Sequence, residues 1–394
     1  MNAGKYVFAQ VVAFLRKSEF DKCVERYDGD HRYRELTSWN HFLQLLFGQL
    51  IGCNGLRSLC LCLGVHSDKL YHLGIRSAVN ESSLSRANEK RDWRIFADFA
   101  GYMISLVRPL YAKSKLPGIE AENDILALDS TTISLSLKLF SWAPGKYSRG
   151  AIKVHTLVDL RGRIPVFVHI TDGKYHDSNA LEVIVPQPSA IYVMDKAYVD
   201  FEALFKIDRA EAFFVTRAKD NLRFKAVASN KVDKSTGLRC DQRILLTVAK
   251  SRKLYPKRLR RIKYLDKQSG KQLVFLTNNF EVDPMEIAEI YRNRWQIEVF
   301  FKCIKQNLQI KTLWGHSPNA VHIHIWVAVC AYLLVAYIKA QLKSPYSTYE
   351  IMQILGISAL TKTPVNHLIA QKQPNQIIKE PPNLFNTNEI LTHQ

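Results

Sequence analysis

Apolar positions recur at helical spacing through roughly the first 110 residues. Phe8, Val11, Val12 and Leu15 fall at i, i+3, i+4 and i+7, the pattern of an amphipathic helix. Arg16 and Lys17 follow with no small-residue cleavage site, so this stretch is not read as a signal peptide. Trp39 to Ile51 is apolar-periodic until Gly52–Gly55 breaks it, and Leu56 to Leu63 resumes until Gly64. Ser82 or Ser83 stands where a cap is wanted for a helix through Arg86, Lys90 and Arg91. Short helices with a basic late member fit a helix-turn-helix and a plain bundle equally well. Residues 1–115 are therefore expected to form an all-helical domain, with DNA binding left open. His31, Arg32, Arg34 and Arg57 add positive charge there but no code.

The pattern changes at Asp124. Ile125–Asp129 is a short apolar run ending in a carboxylate, and Ala151–Leu160 and Ile164–Thr171 read as a hairpin around Arg161-Gly162-Arg163. Leu181–Val185 suits a helix, Ala190–Met194 a strand that stops at Asp195, Phe201–Asp208 a helix and Ala212–Thr216 a fifth strand. The order β-β-β-α-β-α-β describes a mixed sheet, part antiparallel, with crossover helices. Residues 217–282 read as a β-rich insertion with strands near Leu222–Val227, Arg243–Ala249, Arg260–Tyr264 and Gln272–Thr277. Asp283-Pro284 supplies an N-cap and a first helical residue for one helix running to about Gln309. Ala320–Ile338 is almost wholly apolar, long enough for a membrane span, yet it contains His322 and His324 and has no second span beside it. It is read as a buried core helix of a soluble protein. Beyond Ala370 the polar tail, with Pro374, Pro381 and Pro382, is expected to be poorly ordered.

Composition narrows the function. Of 394 residues 47% are hydrophobic, which excludes a disordered chain, and 55 Lys and Arg against 36 Asp and Glu leave a net charge of +19. Such an excess points to a polyanionic partner, nucleic acid or an anionic membrane. The seven cysteines at 23, 53, 60, 62, 240, 303 and 330 have no disulfide or zinc-ligand spacing, and are read as free thiols in a reducing compartment.

Candidate chemistry lies at two strand ends. Asp129 and Asp195 each close a β-run, and active sites of open α/β sheets form at the carboxyl ends of strands. On the helix after the insertion, Tyr291, Arg294, Glu298 and Lys305 share a stripe of roughly 60° when 100° per residue is counted. Ile290, Ile297, Phe301, Ile304 and Leu308 form the apolar face beside it. Pairing of Arg294 with Glu298 at i, i+4 accounts for part of that stripe, but not for Tyr291 or Lys305. Three carboxylates around one point suit Mg²⁺, with Mn²⁺ as substitute. Two such ions about 3.5–4 Å apart serve phosphoryl transfer.

These residues carry a family resemblance. Tyr291-x2-Arg294-x3-Glu298-x6-Lys305 is similar to the Tyr-Arg-Glu-Lys signature of bacterial insertion-sequence DDE transposases of the insertion-sequence-four family. Asp129-Ser130-Thr131-Thr132 resembles that family's first acidic segment, and Asp195-Lys196-Ala197-Tyr198 its second, with Ala197 replacing a Gly. The resemblance covers roughly residues 120–340. It implies an RNase H-like catalytic core (120–216 and 283–345) interrupted by the insertion, with a C-terminal extension at 346–394. It also implies Asp129, Asp195 and Glu298 as the metal-binding catalytic triad, with two Mg²⁺ ions as cofactor. The implied activity is cut-and-paste transposition: the element's terminal inverted repeats are bound and cut, and the freed 3′-hydroxyls are joined to target DNA. A homodimer or higher synaptic complex in the bacterial cytoplasm, associated with the nucleoid and with no membrane, is the implied setting. The rival readings are a non-mobile RNase H-like nuclease and a domesticated DNA-binding protein without catalysis; the presence of all three acids argues against the latter.

Further residues are expected on DNA. Lys250–Lys263 holds eight Lys or Arg in fourteen residues and no acid, interleaved with Tyr255 and Tyr264. It reads as a loop whose Lys257, Arg258, Arg260 and Arg261 meet the phosphate backbone, against the plainer reading of a solvated loop. Tyr291, Arg294 and Lys305 are expected to hold phosphates, with Lys302 on the same helix. Trp295 either stacks on an unpaired base or packs. His176 and Asp177 are candidates for a supporting role near the metals.

Overall fold

A computed structural model of the chain describes residues 4–370 apart from 32, 34, 146–149, 268, 309 and 311. The expectations for the tail beyond Ala370, and for Arg32 and Arg34, lie outside the described residues. Six α-helices come first: Val7–Val12 (α1), Lys17–Arg26 (α2), Ser38–Ile51 (α3), Leu56–Val65 (α4), Glu81–Lys90 (α5) and Arg94–Tyr111 (α6). Thr37 caps α3 by accepting from the Asn40 amide, and Gly52 ends it at φ 76°, a conformation open to glycine without a Cβ clash. The cap of α5 is Asn80, not Ser82 or Ser83: its side chain accepts from the Ser83 amide at 2.9 Å. Arg91, expected on the basic face of that helix, is buried and donates to the carbonyls of Gly29 and Leu36.

These helices share one core with the chain's C-terminal third. Before it come short Ala180–Val183 (α7), then Phe201–Arg209 (α8), Ala249–Leu254 (α9), Pro284–Asn293 (α10) and Gln296–Asn307 (α11). Pro318–Gln341 (α12), Thr348–Ser358 (α13) and Val365–Ile369 (α14) follow. α12 packs against α3, α5 and α6. Polar ties cross the seam: Gln49 Nε2 to His324 Nε2 at 3.0 Å, Asn88 Nδ2 to the Trp314 carbonyl at 3.2 Å, and Asn319 Nδ2 to the Asn88 carbonyl at 2.8 Å. α12 is long and apolar enough to cross a membrane, but 83% of its most apolar stretch is buried inside the protein, as expected of a core helix. At the chain's start, the Val7 and Phe8 amides donate to the carbonyls of Thr361 and Ala359. The N-terminal helices are thus one half of a continuous helical layer.

The described residues also form a nine-stranded sheet. Ile125–Leu135 (β1), Gly150–Asp159 (β2) and Ile164–Asp172 (β3) are antiparallel, while Ile191–Met194 (β4) and Phe213–Arg217 (β5) run parallel to β1. The order β3-β2-β1-β4-β5, with α8 crossing between β4 and β5, is the RNase H-like arrangement. β2 is buried from end to end, as befits a strand covered on both faces.

The insertion does not stand apart as a separate β-unit. Phe224–Asn230 (β6), Leu238–Leu246 (β7), Leu259–Leu265 (β8) and Gln272–Thr277 (β9) continue the same sheet, in the order β5-β9-β8-β7-β6. The join is antiparallel pairing of β9 with β5, Val215 opposite Thr277 and Arg217 opposite Phe275. Pairing with β9 completes the hydrogen bonding of β5, which would otherwise end the sheet as an open edge. The basic run Lys250–Lys263 is not a loop: it forms most of α9 and most of β8.

Candidate active site

Parallel pairing brings the first two acids together. Leu128 of β1 lies opposite Met194 of β4, and Asp129 and Asp195 come next in the chain. Asp195 follows the end of β4, whereas β1 does not close at Asp129 as expected but continues to Leu135 paired with β2 alone. Both carboxylates therefore stand where the pairing of β1 with β4 ends.

The third acid arrives from the helices behind the sheet. Asp283 caps α10, accepting from the Met285 amide at 2.8 Å with Pro284 as first helical residue. The single helix expected from 283 to about 309 breaks at Arg294 and Trp295, while Gln309 itself lies outside the described residues. The cause is local: Asn293 Nδ2 bonds the Glu289 carbonyl and Gln296 Nε2 bonds Asn293 Oδ1, so side chains compete for the ladder. The amides of Arg294, Ile297 and Glu298 turn to carbonyls three residues back. The apolar face survives the break, with Ile290, Ile297, Phe301, Ile304 and Leu308 all buried.

The break aims its polar residues at the acids. Arg294 Nη1 donates to Asp129 Oδ2 at 2.9 Å and Nη2 to Glu298 Oε1 at 3.3 Å, so one guanidinium bridges two carboxylates. Tyr291 Oη donates to Asp195 Oδ1 at 3.1 Å. Burial raises the Asp129 carboxyl to about 6, with Glu298 and Asp195 adding to the rise and Arg294 and the Ser130 amide opposing it. Burial likewise pushes the Tyr291 hydroxyl up to about 12, so it meets Asp195 as a donor. Among the described residues no three acidic, thiol or imidazole side chains are drawn up around one point, since Arg294 lies between Asp129 and Glu298.

Behind Asp129 sits a polar cluster that sequence reading found only in part. Ser130 donates its amide to Asp129 Oδ1 at 2.8 Å and its hydroxyl to Asp177 Oδ1 at 2.9 Å. Lys153, buried in β2, donates to the same Asp177 oxygen at 3.1 Å and to the Tyr175 carbonyl at 2.9 Å. His155, also buried, stands 3.9 Å from Asp177, and burial holds it neutral, lowered to about 4. His176 instead turns to Ser178. Lys153 was missed, although a lysine inside the apolar run Ala151–Leu160 was a legible signal, because a cation in a doubly covered strand needs a partner.

The remaining candidates divide. Lys302 is exposed, and Lys305 and Trp295 are half-buried on or beside α11. The basic run is not brought to the acids: β8 begins at the opposite end of the sheet from Asp195, beside the C-terminal half of α8. There Lys257 pairs with Asp208 at 2.6 Å and lies over the Phe205 ring, and Arg258 is exposed. Arg260 cannot meet phosphate. Its guanidinium is buried against Asp241, 2.9 Å away on each of two bonds, and donates to the Asn279 and Val282 carbonyls. Arg261 lies over the Phe224 ring and bonds Gln242. The alternation of β8 explains the split, since residues 260, 262 and 264 face the core.

An RNase H-like sheet with one carboxylate within its first strand, a second just past the adjacent parallel strand and a third on a facing helix defines an enzyme of the phosphodiester-transfer class. Comparison with known proteins agrees. Residues 120–334 match the transposase DDE domain, and residues 3–76 match a domain of unknown function, DUF4372. A putative transposase of Sinorhizobium fredii is 30% identical over 64% of this chain and 69% of its own length. A probable insertion-sequence transposase of Geobacillus stearothermophilus is 31% identical over 55% of this chain and 57% of its own. A putative insertion-sequence transposase of Synechocystis is 27% identical over 65% and 71%. A piggyBac transposase, solved by cryo-electron microscopy as a synaptic complex with hairpin DNA, overlaps the fold at TM-score 0.44 and 11% identity, covering 94% of this chain and 83% of that one. The chain belongs to the DDE transposase family of bacterial insertion sequences.

Proposed function

We propose that this transposase binds the terminal inverted repeats of its own element, cuts them and joins the freed 3′-hydroxyls to target DNA. The single observation that carries the reading is that side chains of one helix break hold all three acids, Arg294 bridging Asp129 and Glu298 while Tyr291 binds Asp195. The donor set fits a hard divalent cation: three carboxylates, with Asp129 raised by burial and by its acidic neighbours, as expected where a positive ion is wanted. Asp129, Asp195 and Glu298 would hold Mg²⁺ or Mn²⁺, two ions per site. When bound, such ions activate the attacking oxygen and neutralise charge on the leaving one.

The protein's own groups do the positioning. Arg294 carries its charge into a site that must also admit phosphate, and in exchange for the carboxylates its guanidinium offers a forked pair of donors to phosphate oxygens. Tyr291 orients Asp195 through one hydrogen bond. Lys305 and Lys302 on α11 supply further charge on the DNA side. The Tyr-Arg-Glu-Lys spacing supports placement in the insertion-sequence-four subgroup, and a dimer or larger assembly follows from the need to hold two element ends at once.

The test supplies the chain in trans to a marker bracketed by the inverted repeats that flank its coding region. Excision with reinsertion elsewhere is the expected outcome. Nicking without any joining would favour the non-mobile nuclease, and binding without nicking the domesticated DNA-binding protein.

A further inference from the structure

The registers fix which cations of the insertion share an end of the sheet with the acids. Asp195 leaves β4 where Thr216 and Arg217 end β5, and β9 starts beside them, since the Ala218 amide donates to the Val274 carbonyl. Antiparallel pairing then places at this same end the finish of β8, the start of β7 and the finish of β6. Two connections therefore border the acids' end, 231–237 between β6 and β7 and the described residues between β8 and β9, among them Asp266 and Lys267. They touch each other: the Leu265 amide donates to the Gly237 carbonyl at 2.8 Å, and Lys267 donates to the Ser235 carbonyl.

This edge is strongly basic. Lys219, Lys231, Lys234, Arg239 and Lys267 are all exposed on it. Against these five cations stand two exposed acids, Asp220, which pairs with Lys196 at 3.3 Å, and Asp233, which accepts from the Ser235 amide at 2.8 Å, so the edge keeps a positive excess. Asp195, Lys196, Lys219 and Asp220 line one open cleft, so the row is continuous with the acids. From β5 to β7 the row crosses three inter-strand gaps, roughly 15 Å at about 4.8 Å each. Duplex DNA presents roughly nine phosphate charges over that distance, at one per ~1.7 Å.

We propose that duplex DNA leaving the acids runs along this edge of the insertion, held by Lys219, Lys231, Lys234, Arg239 and Lys267, and does not cross the α9 cations. The proposal rests on the transposase reading above and adds the path that the DNA takes. The cations of Lys250–Arg258 face the other end of the sheet, where Lys257 is already paired with Asp208.

The experiment measures the salt dependence of binding to a duplex carrying the element's inverted repeat. One variant replaces Lys231, Lys234, Arg239 and Lys267 by Gln; the other replaces Lys250, Arg252, Lys253 and Arg258 by Gln. Each phosphate contact contributes about 0.9 to the slope of log K against log salt. The first variant is expected to lose about 2–4 from the slope and at least ~10-fold in affinity, with its melting temperature kept. The second is expected to stay within about 1 of the parent slope. An unchanged slope in the first variant, or equal losses in both, overturns the proposed path. A parent protein that binds the repeat without salt dependence would instead overturn the DNA-end reading itself.

Discussion

Arg294 and Asp129 come from different elements of the site, one at a helix break and the other within strand β1, and their side chains meet at 2.9 Å. The guanidinium is mostly buried, its side chain 16% exposed, and it also reaches Glu298. One cation thus offsets two of the three carboxylates. Burial by itself would lower the Arg294 pKa, but the surrounding acids raise it, so the charge is retained.

Removing that charge has a signed consequence. Arg294→Ala leaves Asp129 and Glu298 without their shared cation, so the metal-free fold should lose stability, but less than the ~3–5 kcal/mol of a fully buried pair, because both carboxylates are partly exposed. Mn²⁺ should then raise the melting temperature more in Arg294→Ala than in the parent, because the ion supplies the missing charge. Cleavage should still fall by about 100-fold, since the phosphate loses its forked donor. Thermal melts with and without Mn²⁺ check it, and an equal Mn²⁺ response in both proteins contradicts it.

Lys153 and Asp177 should act through Ser130 and not on the substrate. Asp177→Asn keeps an acceptor for the Ser130 hydroxyl and removes the charge opposite Lys153. We expect kcat for end cleavage to fall by about 10-fold with DNA affinity unchanged, and Asp177→Glu to restore part of it. A loss confined to DNA affinity would make Asp177 a DNA contact.

Arg260 should matter to folding alone. Arg260→Met leaves Asp241 buried without its partner, at a cost of about 3–5 kcal/mol. A denaturant titration should show that loss, while the salt slope of DNA binding stays at the parent value. A lower slope with normal stability would return Arg260 to the DNA surface.

Acid should loosen the helical layer. Burial lowers His41 to about 3, with Arg91 adding to the effect, and lowers His322 to about 4, both below the ordinary 6.5. The unfolded chain therefore binds more protons than the folded one between about pH 6.5 and 4, so stability falls as pH drops through that window. Each histidine contributes up to about 1.4 kcal/mol per pH unit. Melts from pH 7.5 to 5 should show the decline, and His41→Gln should flatten it. An unaltered slope in that variant would contradict the assignment.

The catalytic core was legible because its signals are local. The strand that stops at Asp195 and the Asp-Pro helix start depend on neighbouring residues and stand where the sequence placed them. By contrast, β1 does not stop at Asp129 but runs on to Leu135, because pairing with β2 carries it past the end of β4. The helix wheel failed at Asn293, whose side chain breaks a ladder that periodicity treats as continuous. The insertion misled for a different reason. Nothing in Lys250–Lys263 says which residues face inward, because the partner of Arg260 lies on another strand, at Asp241. Nor could composition tell that β9 would pair with β5 and join two expected units into one sheet. The N-terminal helices read correctly as helices, but their partner α12 lies more than two hundred residues away, so the shared core was invisible.

The most direct measurement is end cleavage in Mg²⁺ on a duplex carrying the element's inverted repeat, comparing the parent with Asp129→Asn, Asp195→Asn and Glu298→Gln. All three variants are expected to bind the duplex within about 3-fold of the parent and to lose cleavage by at least ~1,000-fold, about 4 kcal/mol in the barrier. Near-parental cleavage by any one of them would contradict the triad at that residue and with it the account of the site.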